Sequence, residues 1–259
     1  MINNNPIGLF DSGIGGTSIW KEIHHLLPNE NTIYLADSKN APYGEKSKEE
    51  IIRLSCKNTE YLLNLNCKLI VVACNTATTN AIKELRAKYD VPFIGIEPAI
   101  KPAALHSQTH KIGILATKGT LNSELFYKNI EQYQDIQIVE QIGYGLVELI
   151  EKGQINSIEM KQLLNQYLTP MIEANIDYLV LGCSHYPYLI PEIKKILPPT
   201  IKIIDSGEAV AKQTKKIIDE KVGFRDSSIP SHQKFYTNVN PKVLSDILDN
   251  HYTVIQKDF

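Results

Sequence analysis

The sequence predicts an α/β protein made of two similar doubly wound α/β domains with mainly parallel sheets. Three observations predict this. Short apolar runs alternate with segments of helical spacing, the arrangement that lays helices over a sheet. The runs are continuously apolar, as strands buried on both faces must be. One strand-to-loop pattern also occurs twice, about 110 positions apart.

In chain order the predicted strands are PIGLFD (6–11), TIYLAD (32–37), KLIVVAC (68–74), PFIGI (92–96), KIGILAT (111–117), IQIVEQ (136–141), DYLVLGC (177–183) and KIIDS (202–206). Between the second and third, Ile51, Leu54, Tyr61, Leu62 and Leu65 recur at helical spacing. Ser47 and Glu50 precede them as a capping box, so a helix is expected to begin there. KFYTNVN to YTVIQK reads as a closing pair of short strands around a helix.

FDSGIGG (10–16) is echoed by IIDSGEA (203–209), and VVACNTAT (71–78) by VLGCSHYP (180–187). In the second pair an apolar strand ends in a small residue, then Cys, then two polar residues able to cap a helix. Ligands of open α/β sheets bind at the carboxyl ends of strands, so two facing lobes would bring two thiols to one cleft, where the active site is expected. The expected domains are 1–97 with 207–259, and 98–206. The chain would cross near Glu97-Pro98 and return near Asp205.

The bulk numbers narrow the function. A chain of 259 residues, 43% hydrophobic, can bury one large core or two smaller ones. A net charge of -2 and only three arginines (Arg53, Arg86, Arg225) give no electrostatic case for nucleic acid, so a small ligand is expected. The start, MINNNPIGLF, has no basic segment followed by a long apolar one, and no apolar run is long enough to span a bilayer. A cytoplasmic protein without a membrane partner is expected. Four cysteines without a CxxC pair argue against both a disulfide framework and a zinc site, and no metal is expected.

Most lone cysteines are inert core residues, and Cys56 and Cys67 read so. Cys74 and Cys183 differ, because Asn75-Thr76 and Ser184-His185 follow them where a helix should begin. A helix N-terminus attracts carboxylates and can lower a thiol pKa from about 8.5 to roughly 3.5–7.5. A carboxylate at Asp11 would push the Cys74 thiol the other way. His185, two residues past a cysteine, is placed to share its proton.

DSGIGG nearly fits the dinucleotide-binding glycine pattern, with Asp37 at about the expected distance. Asp11 and Ser12 oppose that reading, since a carboxylate at the loop mouth would repel a pyrophosphate. The glycines can instead let the backbone approach a small ligand, with Asp11 holding an amino group or working beside a thiol. Pro42, Tyr43 and Gly44 form either an ordinary turn or a cleft rim whose Tyr43 hydroxyl and Gly44 N–H bind a carboxylate. ATKGT (116–120) offers Thr117 and Thr120 in a similar position. GLVELIEKG (145–153) reads as an amphipathic helix, with Glu148 and Glu151 on its solvated side.

Taken together, GLFDSGIGG, PYG (42–44), ACNTAT around Cys74, IEPA (96–99) and GCSHYP around Cys183 resemble the glutamate racemase family of the aspartate/glutamate racemase superfamily over the whole chain. The resemblance implies two α/β domains around a buried cleft and a homodimer. It also implies cofactor-independent interconversion of L- and D-glutamate for peptidoglycan synthesis. Many relatives have Thr in place of Ser184, and some have Cys-Pro in place of Gly143-Tyr144, which leaves the following helix without a transferable role.

Racemisation removes the Cα proton on one face and delivers one to the other, so two acid–bases are expected. Cys183 and Cys74 are the expected pair, with Asp11 and His185 as their proton partners, and the resemblance implies that Cys183 takes the proton of L-glutamate. Asp11, Ser12, Pro42, Tyr43, Gly44, Asn75, Thr76, Thr117, Ser184 and His185 are the expected substrate contacts. An aspartate or hydantoin racemase, a non-enzymatic amino-acid-binding protein and a nicotinamide enzyme are the rival readings.

Overall fold

A computed structural model describes residues 2–259. The first half runs β1 (Ile7–Asp11), α1 (Thr17–Leu26), β2 (Thr32–Ala36), α2 (Lys48–Asn64), β3 (Leu69–Val72), α3 (Asn75–Lys88) and β4 (Phe93–Gly95). It continues through α4 (Ile100–His106), β5 (Lys111–Ala116), α5 (Lys118–Leu121), α6 (Glu124–Ile130), β6 (Gln137–Ile142), α7 (Leu146–Glu151) and α8 (Ile158–Glu173). Then come β7 (Tyr178–Gly182), α9 (Ile190–Ile196), β8 (Lys202–Ile204), α10 (Gly207–Ile217), β9 (Gln233–Thr237), α11 (Lys242–Ile247) and β10 (Val254–Gln256). All eight predicted runs form strands, and the closing strand–helix–strand unit is present.

Two parallel sheets result, ordered β10-β9-β2-β1-β3-β4 and β6-β5-β7-β8. Their parallel pairing explains the continuously apolar strands, because both faces are covered. Alternate residues of β3 go to opposite cores, Leu69 and Val71 to one, Ile70 and Val72 to the other. Helix α2 begins where the capping box places it, Ser47 accepting a hydrogen bond from the Glu50 N–H at 3.3 Å. No helix among the described residues is long and apolar enough to cross a membrane.

The order β2-β1-β3-β4 recurs as β6-β5-β7-β8, so the internal echo has a topological basis. It holds for only one of the two sequence pairs. Cys74 and Cys183 follow β3 and β7, the third strand of each unit, and are equivalent. DSGIGG follows β1, whose counterpart is β5, whereas IIDSGEA follows β8. The DSG pair is therefore a likeness between two strand-to-helix turns at non-equivalent places in the repeat.

The connections at 97–98 and 205–206 lie side by side, tied by a hydrogen bond from the Ser206 hydroxyl to the Glu97 carbonyl. One continuous buried cluster runs through both sheets, from Ile7, Leu9 and Trp20 to Leu146, Met160 and Tyr186. Ile14 and Leu115 belong to it as well, so the facing surfaces of the lobes are packed together as a core.

Candidate active site

In each sheet the strand order reverses beside its first strand, between β1 and β3 and between β5 and β7. Crevices open at such switch points, at the carboxyl ends of the strands. Asp11 and Cys74 stand at one, Thr117 and Cys183 at the other, and the two face each other across a single narrow cavity.

Ser12, Pro42, Tyr43, Gly44, Cys74, Asn75, Thr76, Thr117, Cys183, Ser184 and His185 line this cavity together with Val147. Val147 carried no chemical signal in the sequence, being one apolar residue of an amphipathic helix. Asp11 stands behind the wall, fully buried. Its Oδ2 accepts hydrogen bonds from the N–H groups of Gly13 (3.2 Å) and Gly16 (2.9 Å), and its Oδ1 accepts one from Ser184 Oγ at 3.2 Å. The expected contact of Asp11 with an amino group is thereby replaced by a contact with the opposite lobe.

Cys74 is the N-cap of α3, its Sγ 3.5 Å from the Ala77 N–H and 3.8 Å from Ser12 Oγ. Cys183 Sγ lies 3.9 Å from His185 Nδ1. No regular α-helix begins after Cys183. A 3₁₀ turn at Tyr186–Leu189 leads into α9, and Ser184 and His185 turn their side chains to the cleft and do not cap it. Thr76 and Thr117 meet across the lobes, Oγ1 to Oγ1 at 2.8 Å.

Three expectations are corrected by the side-chain geometry. The Tyr43 hydroxyl donates to Asp37 Oδ2 and receives a bond from Asn58, so its proton is already committed within its own lobe. Asn75 turns its amide nitrogen to the Ile96 carbonyl at 3.5 Å, leaving a buried Oδ1 without a protein partner. It presents an acceptor, which suits an ammonium and not a carboxylate. Glu151 is not solvated: its carboxylate reaches His185 Nε2 at 2.6 Å and accepts the Ile14 N–H at 2.7 Å. Sequence reasoning missed it, and the only available signal was its place on a helix packed at the lobe interface.

The glycine loop makes this reach possible. A Cβ on Gly13 would lie 1.9 Å from Glu151 Oε1, and one on Gly15 would lie 2.1 Å from His185 Nδ1. The glycines thus admit side chains of the other lobe, where a dinucleotide site would admit phosphates.

Residues 7–214 match the sequence model of the Asp/Glu/hydantoin racemase family. The chain belongs to that family. A glutamate racemase of Herpetosiphon aurantiacus is 44% identical over 218 residues, 84% of this chain and 86% of that one. Escherichia coli glutamate racemase, solved with L-glutamate and the activator UDP-MurNAc-Ala, superposes with a TM-score of 0.86 at 33% identity over 97% of both chains. The Francisella tularensis glutamate racemase with D-glutamate gives 0.85 at 28% identity over 98% of both. Family membership makes this racemase an isomerase with an α/β fold.

The electrostatics of the racemase follow from burial. Burial raises the Asp11 pKa, against the pull of His185 and the Gly16 N–H. Burial and the Asp11 charge push the Cys74 thiol well above its ordinary value, and the Ala77 N–H does not offset them. The expected lowering by the helix terminus loses at this site. For His185, burial disfavours the charged ring, but Cys183, Glu151 and Asp11 together outweigh it and raise the pKa well above 6.5. With the Nε2 proton directed at Glu151, the Gly15 N–H, 3.2 Å from the same nitrogen, is a close approach and not a bond.

Proposed function

We propose that this racemase interconverts L- and D-glutamate with its two cleft thiols and no cofactor. The observation that carries the reading is the pairing: two cysteines from equivalent strands line one cavity, each with its own proton partners. The complexes of two relatives with L- and D-glutamate support the substrate.

For L-glutamate, the Cys183 thiolate takes the Cα proton and the Cys74 thiol delivers one to the opposite face. A raised Cys74 pKa suits the donor, because the thiol stays protonated at neutral pH. The His185 ring sits beside Cys183, its Nδ1 3.9 Å from the sulfur, where it can share that proton. Asp11 is in direct side-chain contact with Cys74 and serves that side. For D-glutamate the thiols exchange roles.

A Cα–H next to a carboxylate is far less acidic than a thiol, so the site must stabilise carbanionic charge as it develops. The hydroxyls of Thr76, Thr117 and Ser184 and the Gly44 backbone bind the carboxylates, while Asn75 Oδ1 accepts from the ammonium. Residues 1–97 with 207–259 and residues 98–206 form the two domains that close on the substrate. The enzyme acts in the cytoplasm, as a homodimer, and supplies D-glutamate for peptidoglycan.

Cys74→Ala and Cys183→Ala are each expected to lower racemisation by at least about 10³-fold, and wild-type product formed in D₂O to carry deuterium at Cα. Near-normal racemisation by both variants would sink the two-thiol scheme.

A further inference from the structure

A second, more open recess adjoins the inner cavity on its outer side. The two share Pro42, Gly44, Thr117 and Val147, so the outer recess is the approach to the thiols. Three charged side chains line it: Lys118 at the start of α5, Glu45 beside Gly44, and Glu148 on α7. Lys118 is exposed and is in no ion pair among the described residues. It immediately follows Thr117, which lines both recesses.

The approach is electrostatically awkward for an amino dicarboxylate. Glutamate carries two carboxylates and one ammonium. The rim presents Glu45 and Glu148, Asp11 and Glu151 lie behind the inner wall, and no arginine lines either recess. Lys118 is the one unpaired cation of the recess. Low-dielectric walls focus the field of such a charge along the cleft.

We propose that Lys118 is the cation that draws the anionic substrate into the cleft, governing how readily substrate reaches the thiols and not how fast it reacts there. This rests on the glutamate reading above. The charge acts at a distance and is bare to solvent, so its effect depends on ionic strength. The screening length is about 30 Å at 0.01 M salt and about 3 Å at 1 M. Glu45 works against it, repelling carboxylates from the same rim.

Kinetics in both directions at low and high ionic strength test the proposal, using the full chain and its Lys118→Gln, Lys118→Arg and Glu45→Gln variants. Lys118→Gln is expected to lower kcat/KM about three- to tenfold at about 10 mM salt and less than about twofold at about 500 mM, with kcat little changed. Lys118→Arg should keep wild-type kinetics, and Glu45→Gln should raise kcat/KM at low salt only. An unchanged kcat/KM for Lys118→Gln at low salt, a loss that persists at high salt, or a loss carried by kcat overturns it. A wild-type enzyme that leaves glutamate unchanged overturns the substrate reading, and the proposal with it. That result is distinguished by the parent protein alone.

Discussion

Glu151 and Gly15 are a pair in function although they are far apart in sequence: the glycine has no side chain so that His185 can lie against it, and the glutamate then holds the ring from beyond. Because Glu151 touches His185 and not the cavity, it is a positioning residue that also sets the charge of the imidazole. Glu151→Gln keeps the shape and removes the charge that helps raise the His185 pKa. If the imidazolium is the active form beside Cys183, the rate falls as pH rises through the His185 pKa. The variant should move that fall to lower pH and cut kcat about 10- to 100-fold, less than the loss of an acid–base group outright. Comparing pH–rate profiles of the two proteins checks this, and a lower rate with an unmoved profile would leave Glu151 a merely structural part. The thiols, Asp11 and His185 were legible because each is a reactive type at the end of an apolar run. Glu151 was not, since its partners Ile14 and His185 lie 137 and 34 positions away and meet only when the lobes pack.

Strands were legible as elements because both faces of a parallel strand are buried, which writes the whole strand in apolar residues. Helix starts were legible where a side chain makes the cap. Ser47→Ala removes the acceptor of the Glu50 N–H and is expected to cost about 1 kcal/mol in urea unfolding, with racemisation unchanged, because neither Ser47 nor Glu50 lines the cavity. The helix expected after Cys183 failed for the converse reason. Ser184 and His185 are capping types by composition, yet Asp11 and Glu151 on other elements claim their polar atoms. The topological repeat shows the same limit: a three-residue DSG likeness carries no information about strand order, whereas the cysteine units sit on the third strand of each repeat.

At the scale of the whole molecule, the carboxyl ends of the strands are given to chemistry and the amino ends to holding the chain together. Lys68 enters β3 at its amino end, and Cys74 leaves it six residues later, about 20 Å away along an extended strand. The Lys68 ammonium is 2.7 Å from Glu30 and donates to the carbonyls of Asn3 (2.8 Å) and Gly223 (3.0 Å). Glu30 in turn accepts the Arg225 N–H at 2.9 Å, so one ion pair ties the start of the chain and the segment before β9 to the first sheet. Burial lowers the Lys68 pKa against the pull of Glu30, and both side chains are almost wholly enclosed. Lys68→Met would strand the Glu30 carboxylate and two backbone carbonyls, and a loss of about 3–5 kcal/mol in urea unfolding is expected. Combining it with Glu30→Gln removes the stranded charge and should recover more than half of that loss. The kcat of the folded single variant should stay within about twofold of wild type, since a change about 20 Å from Cys74 along the strand reaches it only through stability. A variant of normal stability, or one whose kcat falls in step with its unfolding free energy while fully folded, would contradict this separation of the two ends of the sheet.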